Sequence, residues 1–175
     1  MKILALALAA ATAGSAALAA DAPQTIDVAL KGNGGEAVGT VRITGAPKGV
    51  LLRVETKGLT PGWHAMHFHE KSDCSKSDFT SAGGHVHTQA TLVHGLLNPE
   101  ANDSGDLPNI HVGADGVGVA EVFSPFVSLK GAAGLPALLD ADGSAVVIHA
   151  SPDDHMTQPI GGAGARVACG AITGG

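Results

Sequence analysis

The chain contains no tyrosine, one tryptophan and four phenylalanines, so its apolar content is almost wholly aliphatic. Basic residues are scarce: ten Lys and Arg stand against sixteen Asp and Glu, for a formal charge of −6. That balance does not suit a polyanion, which argues against nucleic acid and anionic membrane as partners. Past residue 20, no apolar run is long enough to cross a bilayer. Nor is there a sustained helical period, an internal repeat, or a linker that would mark a second domain. Only two cysteines are present, Cys74 and Cys169, enough for a single disulfide.

The first twenty residues, MKILALALAAATAGSAALAA, combine one lysine, an apolar run and small residues ending in Ala-Leu-Ala. This is the plan of a secretory signal peptide, with cleavage expected after Ala19 or Ala20. Residues 21–175 then form one domain with one core. Loss of Lys2 leaves nine basic residues against sixteen acidic. Export would put the two cysteines where a disulfide forms and persists. A Cys74–Cys169 bond would tie a histidine-rich loop to the C-terminal strand. Closing a loop of about 95 residues stabilises by about 4–5 kcal/mol in the chain-entropy account.

Glycine is abundant and unperiodic, which suggests many tight turns. Residues 25–59 alternate with period two: Ile26, Val28, Leu30; then Val41, Ile43; then Val50, Leu52, Val54. Gly-Asn-Gly-Gly and Gly-Ala-Pro-Lys-Gly break this stretch into short strands joined by hairpin-type turns. Pro61-Gly62 opens a further strand, NIHVGADGVGVAEVF reads as two, and SAVVIHA and Arg166–Ile172 supply the last. Ser124–Leu139 is punctuated by Pro and Gly and has no clear reading. Seven or eight short strands without helices predict an antiparallel β-sandwich or flattened barrel.

Residues 62–106 hold six of the nine histidines. His67 and His69 are two apart, so on an extended strand both rings leave one face, while Met66 and Phe68 point the other way into a core. His85, His87 and His94 follow in a loop that ends in a turn-rich segment carrying Asp103 and Asp106. Imidazole suits copper, zinc, iron and nickel, and added carboxylate favours zinc over a soft thiolate site. Five histidines within 28 residues, followed by two carboxylates, predict a metal site.

With these segments in view, the chain resembles the bacterial periplasmic copper–zinc superoxide dismutases over nearly all of residues 21–175. The likeness rests on GWHAMHFHEKSDC, SAGGHVH, SGDLPNI, VVIHASPDD and GGAGARVACGAI, in that order. It implies a Greek-key sandwich with long metal-binding and electrostatic loops. It also implies copper held by His67, His69, His85 and His149. His85 would bridge to zinc, with His94 and Asp106 as further zinc ligands. Asp153 would link His67 to His94 from behind, Cys74 and Cys169 would form the family disulfide, and Arg166 would hold the superoxide anion beside copper. In the family's cycle His85 takes up a proton, which makes His85 and Arg166 the catalytic pair.

One ligand departs from the pattern. The family has a histidine three residues before the zinc aspartate, and here that position is Asp103. Zinc accepts carboxylate oxygen, so Asp103 can serve directly; His87 could instead swing in from beside the bridge, or the zinc site is weakened. Lys71 and Lys76 are the nearest candidates in sequence for steering the anion. His64, His111 and His155 match no ligand, and His64 is expected behind the metal strand, bonded to backbone. Monomer and homodimer are both compatible with the sequence. The resemblance implies dismutation of superoxide; a copper-binding or copper-storage protein on the same fold is the alternative.

Overall fold

The structure, a computed structural model, describes residues 22–174; the signal peptide expected over residues 1–20 lies outside them. Among the described residues there are nine strands, two short 3-10 turns at Thr80–Ala82 and Ala132–Gly134, and no α-helix. The alternating N-terminal stretch gives β1 (Thr25–Gly32), β2 (Ala37–Ala46) and β3 (Gly49–Lys57). Their inward residues Val28, Leu30, Val41, Ile43, Val50, Leu52 and Val54 are all buried. β2 and β3 form a hairpin whose register closes at Ala46–Gly49 around Pro47-Lys48, as the turn residues predict. On the outer face Arg42 forks onto the Asp27 carboxylate across the strands, an exposed pair of small energetic weight.

The next strand switches partners midway. β4 (Gly62–His64) pairs with β6 (Ile110–Val112), whereas β5 (Met66–His69) pairs with β8 (Ser144–His149). Ala65 is the corner between them; its N–H donates to Ser151 and its carbonyl accepts from His149, so no backbone group is stranded. β6 turns back into β7 (Val117–Ser124) through Asp115-Gly116, and β7 pairs with β3. β9 (Arg166–Ile172) leaves β8 and crosses to pair with β1, the Greek-key step. The seven-stranded order β5-β8-β9-β1-β2-β3-β7, with β4-β6 between its ends, makes the expected flattened barrel.

β5 and β8 are buried on both faces. Met66, Phe68, Val146 and Ile148 join the main core. The opposite face carries Ala145 and Val147, which pack with Cys74, Phe79, Ala82 and Cys169 in a second small core under the loop of residues 70–109. His67 and His69 lie opposite Val147 and Ala145 in the ladder, so the metal strand's second face is covered by loop as well. The sequence reading placed only one face of this strand in a core. The difference arises because a long loop, held by the Cys74–Cys169 disulfide, folds back over it.

Candidate metal centre

β5 is an edge strand, and its free edge is paired by loop segments that carry the ligands. Glu70 N–H donates to Gly84, Val86 N–H to Phe68, and Phe68 N–H to Gly105. These contacts place His85 opposite His69 and Asp106 opposite His67 in isolated antiparallel bridges. Pairing the edge satisfies the strand's backbone and sets the register of the ligands together. Gly105 is required here: a Cβ would sit 2.4 Å from the Phe68 carbonyl oxygen and 2.9 Å from the His85 Cβ.

His67, His69, His85 and His149 converge, with one nitrogen from each within 4.8 Å of the others. All four are buried. His67 Nδ1, His69 Nε2, His85 Nε2 and His149 Nε2 have no hydrogen-bond partner among the described residues. Their other nitrogens are all engaged: His67 Nε2 on Asp153 Oδ2 at 2.9 Å, His69 Nδ1 on the Gly83 carbonyl at 3.0 Å, His85 Nδ1 on Asp103 Oδ2 at 2.6 Å, and His149 Nδ1 on the Gly164 carbonyl at 3.1 Å. Four unpartnered buried nitrogens facing one point, each ring fixed from behind, are a costly arrangement unless a cation sits among them. An all-imidazole set suits copper.

A second group, His85, His94 and Asp106 with His67, lies beside the first. His94 Nδ1 is 2.6 Å from Asp106 Oδ1, yet both atoms are buried and neither has a hydrogen-bond partner among the described residues. Asp103 Oδ2 lies 2.6 Å from His85 Nδ1 and 3.4 Å from His94 Nδ1, so Asp103 borders this group. His87 does not. It is exposed, its Nδ1 engages the His85 carbonyl, and its ring lines a groove with Glu70 and Lys71. The contact with the His85 carbonyl and the groove beside Glu70 and Lys71 hold the His87 ring outside the group. Two imidazoles and two carboxylates are a donor set that zinc accepts.

Burial and charge agree with these assignments. Burial pushes the His67 imidazole down to about 3 against an opposing pull from Asp153, and the His149 imidazole down to about 4. Burial also holds His69 well below its ordinary value, helped by the nearby charges of His85 and Arg166. These rings stay neutral, as ligands must. At His94 burial works downward too, but the carboxylates of Asp103, Asp106 and Asp153 outweigh it and raise the ring to about 11. Burial and the neighbouring Asp103 charge raise Asp106, while bonds from His85 and His94 overcome burial to hold Asp103 low. Three buried carboxylates around one imidazole form a site that favours a cation.

Asp153 joins the two groups from behind. Its Oδ2 accepts from His67 Nε2 and its Oδ1 from His94 Nε2 at 3.0 Å. Burial opposes its charge, but these bonds hold it well below the usual carboxylate range. Gly161 makes room for it, since a Cβ there would lie 1.6 Å from Asp153 Oδ1. Three residues around it have functions that sequence reasoning missed. Asn109 clamps the Asp153 backbone, donating to its carbonyl and accepting from its N–H. His155 donates its backbone N–H to Asp153 Oδ1. Gln158 does for His94 what Asn109 does for Asp153, accepting at 2.9 Å and donating at 2.7 Å. A carboxamide offers a donor and an acceptor together, but no spacing in the chain marks these contacts.

Arg166 stands opposite His149 in the ladder between β8 and β9. Its Nη1 donates to the Phe79 carbonyl and its Nη2 to that of Gly83, both at 2.7 Å, which fixes the guanidinium. It lines an open cleft of about 500 Å³ with Asn33, Ser77, Asp78 and Thr80. Phe79 adopts a left-handed conformation (φ 55°), unusual for a bulky residue, with its side chain anchored in the core beside the Cys74–Cys169 disulfide. Lys76 belongs to the loop at this cleft, while Lys71 shares its groove with Glu70, Asp140 and Asp142, which offset its charge. His64 is buried with Nδ1 on the His149 carbonyl and Nε2 on that of Thr60, and His111 packs edge-on against Trp63.

Comparison with known proteins agrees with the geometry. Residues 37–172 match the sequence model of the copper/zinc superoxide dismutase family. The Cu-Zn superoxide dismutase of Caulobacter vibrioides is 71% identical over 143 residues, 82% of each chain. A superoxide dismutase-like protein from Bacillus subtilis has a solved structure similar to this one, at TM-score 0.77 and 40% identity, covering 83% of this chain and 97% of that one. The Cu/Zn superoxide dismutase from Brucella abortus is similar at TM-score 0.68 and 32% identity, covering 85% of this chain and 99% of that one. The chain belongs to the copper/zinc superoxide dismutase family.

Proposed function

We infer that the protein dismutates superoxide, with copper held by His67, His69, His85 and His149 and zinc by His85, His94, Asp103 and Asp106. The observation that carries this reading is the meeting of four unpartnered imidazole nitrogens from three distant parts of the chain, with Arg166 fixed alongside. Bound copper supplies the one-electron cycle that oxidises one superoxide to dioxygen and reduces a second, with two protons, to hydrogen peroxide. Arg166 presents its remaining N–H groups to the anion as charged donors. His85 Nε2, on the copper side of the shared ring, is the nitrogen that takes up and returns a proton. Asp153 holds the His67 and His94 rings in place, and the close packing around them keeps water from their bonded faces.

A copper store needs ligands but has no use for an arginine tied by two backbone carbonyls beside them. The N-terminal signal pattern together with the disulfide supports a periplasmic location, where superoxide removal would act outside the cytoplasm. The functional test is inhibition of superoxide-driven cytochrome c reduction by protein loaded with both metals. We expect inhibition at catalytic amounts, abolished by copper chelation and by His149→Ala; inhibition that survives both would refute the reading.

A further inference from the structure

In each of the four copper-side rings, one nitrogen faces the common point and the other donates to an acceptor. For His67, His69 and His149 that acceptor is not itself a ligand of the second metal group: the Asp153 carboxylate, which also accepts from His94, and two backbone carbonyls. His85 differs, because its far nitrogen faces the zinc group. Its partner there is Asp103 Oδ2 at 2.6 Å. The carboxylate is buried, and its other oxygen, Oδ1, accepts from Gly105 N–H at 2.8 Å, so its orientation is set from both sides.

We propose that Asp103 has two roles, zinc ligand when zinc is bound and proton acceptor for His85 when it is not, so that the copper site is complete without zinc. The proposal rests on the ligand assignment made above and extends it. The chemistry turns on what position 103 is able to donate. An ionised carboxylate only accepts, so His85 must keep its proton on Nδ1 and leave a lone pair on Nε2, the copper-facing nitrogen. An imidazole at this position could as readily donate to His85 Nδ1, which would put the His85 proton on Nε2 and block copper. With Asp103 in place, all four copper-facing nitrogens carry lone pairs before either metal arrives. The carboxylate does for His85 what Asp153 does for His67.

Asp103→Asn is the informative variant. It is isosteric, and its Oδ1 still accepts from Gly105 N–H, so the turn is kept. That leaves an NH2 group facing His85 Nδ1, which forces the proton onto Nε2. Two measurements on zinc-free protein decide the matter. The first is the His85 tautomer of the metal-free wild type, read by long-range 1H–15N correlation: the proposal requires Nδ1–H, and Nε2–H would overturn it whether or not any variant folds. The second is Cu(II) affinity by chelator competition. Asp103→Asn should bind copper about 10–100-fold more weakly than wild type, the usual cost of losing a partner behind a metal ligand. Equal affinities would overturn the proposal. Neither readout needs turnover, so each stands whether or not the loaded protein dismutates superoxide.

Discussion

Asp153 Oδ2 accepts from His67 Nε2 at 2.9 Å inside a shell with no solvent contact, while the second oxygen of the same carboxylate reaches His94. One carboxylate thus orients a ring of each metal group. Asp153→Ala should weaken both metals, by about 10–100-fold each. Competition titrations with copper and zinc chelators check this; loss confined to one metal would contradict the shared role.

Arg166 is the cation beside the copper-side rings, and its backbone contacts hold it without neutralising it. Arg166→Ile should slow superoxide removal by about 10–100-fold, the worth of a charged hydrogen bond of about 1.5–3 kcal/mol. Copper content should be unchanged. Pulse radiolysis with parallel metal analysis gives both quantities, and an unaltered rate would remove Arg166 from the mechanism.

The disulfide closes a sequence separation of 95 residues and anchors the small core that holds Phe79, whose carbonyl grips Arg166. Replacing Cys74 and Cys169 together by serine should cost about 4–5 kcal/mol in the chain-entropy account. For a domain of this size that is a fall in Tm of about 10–20 °C. Activity per bound copper should fall as well, because the arginine's anchor is loosened; thermal melts and specific activity test the two effects separately.

Acid should destabilise the metal-free protein well above the usual carboxylate range. His67 and His149 titrate near 3 and 4 in the folded chain, and His69 well below its ordinary value. In the unfolded chain each titrates near 6.5. Between these limits the unfolded state binds more protons at these three rings, so their contribution to stability is greatest above about pH 6.5 and declines as pH falls. His67 and His149 each cost on the order of 2 kcal/mol by pH 5, His69 acts in the same direction, and the raised Asp106 and His94 oppose. Melting of the metal-free protein between pH 7 and 5 checks the sign, and a Tm that rises on acidification would contradict it.

Much of this was legible in the chain because it rests on short-range periodicity. Alternation over Ile26–Val54 specifies inward residues that are buried in the barrel, and the spacing of His67 and His69 specifies one face of one strand. Other features depend on how distant segments meet. Which side chains lie near the second group depends on residues 84–86 and 105–106 pairing with the β5 edge, a contact between loops that no local pattern encodes. The clamps made by Asn109 and Gln158 are of the same kind: one carboxamide against one backbone, set by tertiary placement. The covered second face of β5 follows from the disulfide drawing a long loop across it, whereas strand periodicity reports alternation and not what lies above each side.

The central claim is that four imidazoles hold copper and that the ring of His85 is shared with zinc. Anomalous scattering at the copper and zinc edges, from crystals of protein loaded with both metals, tests this most directly. The account predicts copper bonded to His67 Nδ1, His69 Nε2, His85 Nε2 and His149 Nε2, with zinc on His85 Nδ1 beside His94, Asp103 and Asp106. Copper bound without His149, or two metals that do not share His85, would contradict it.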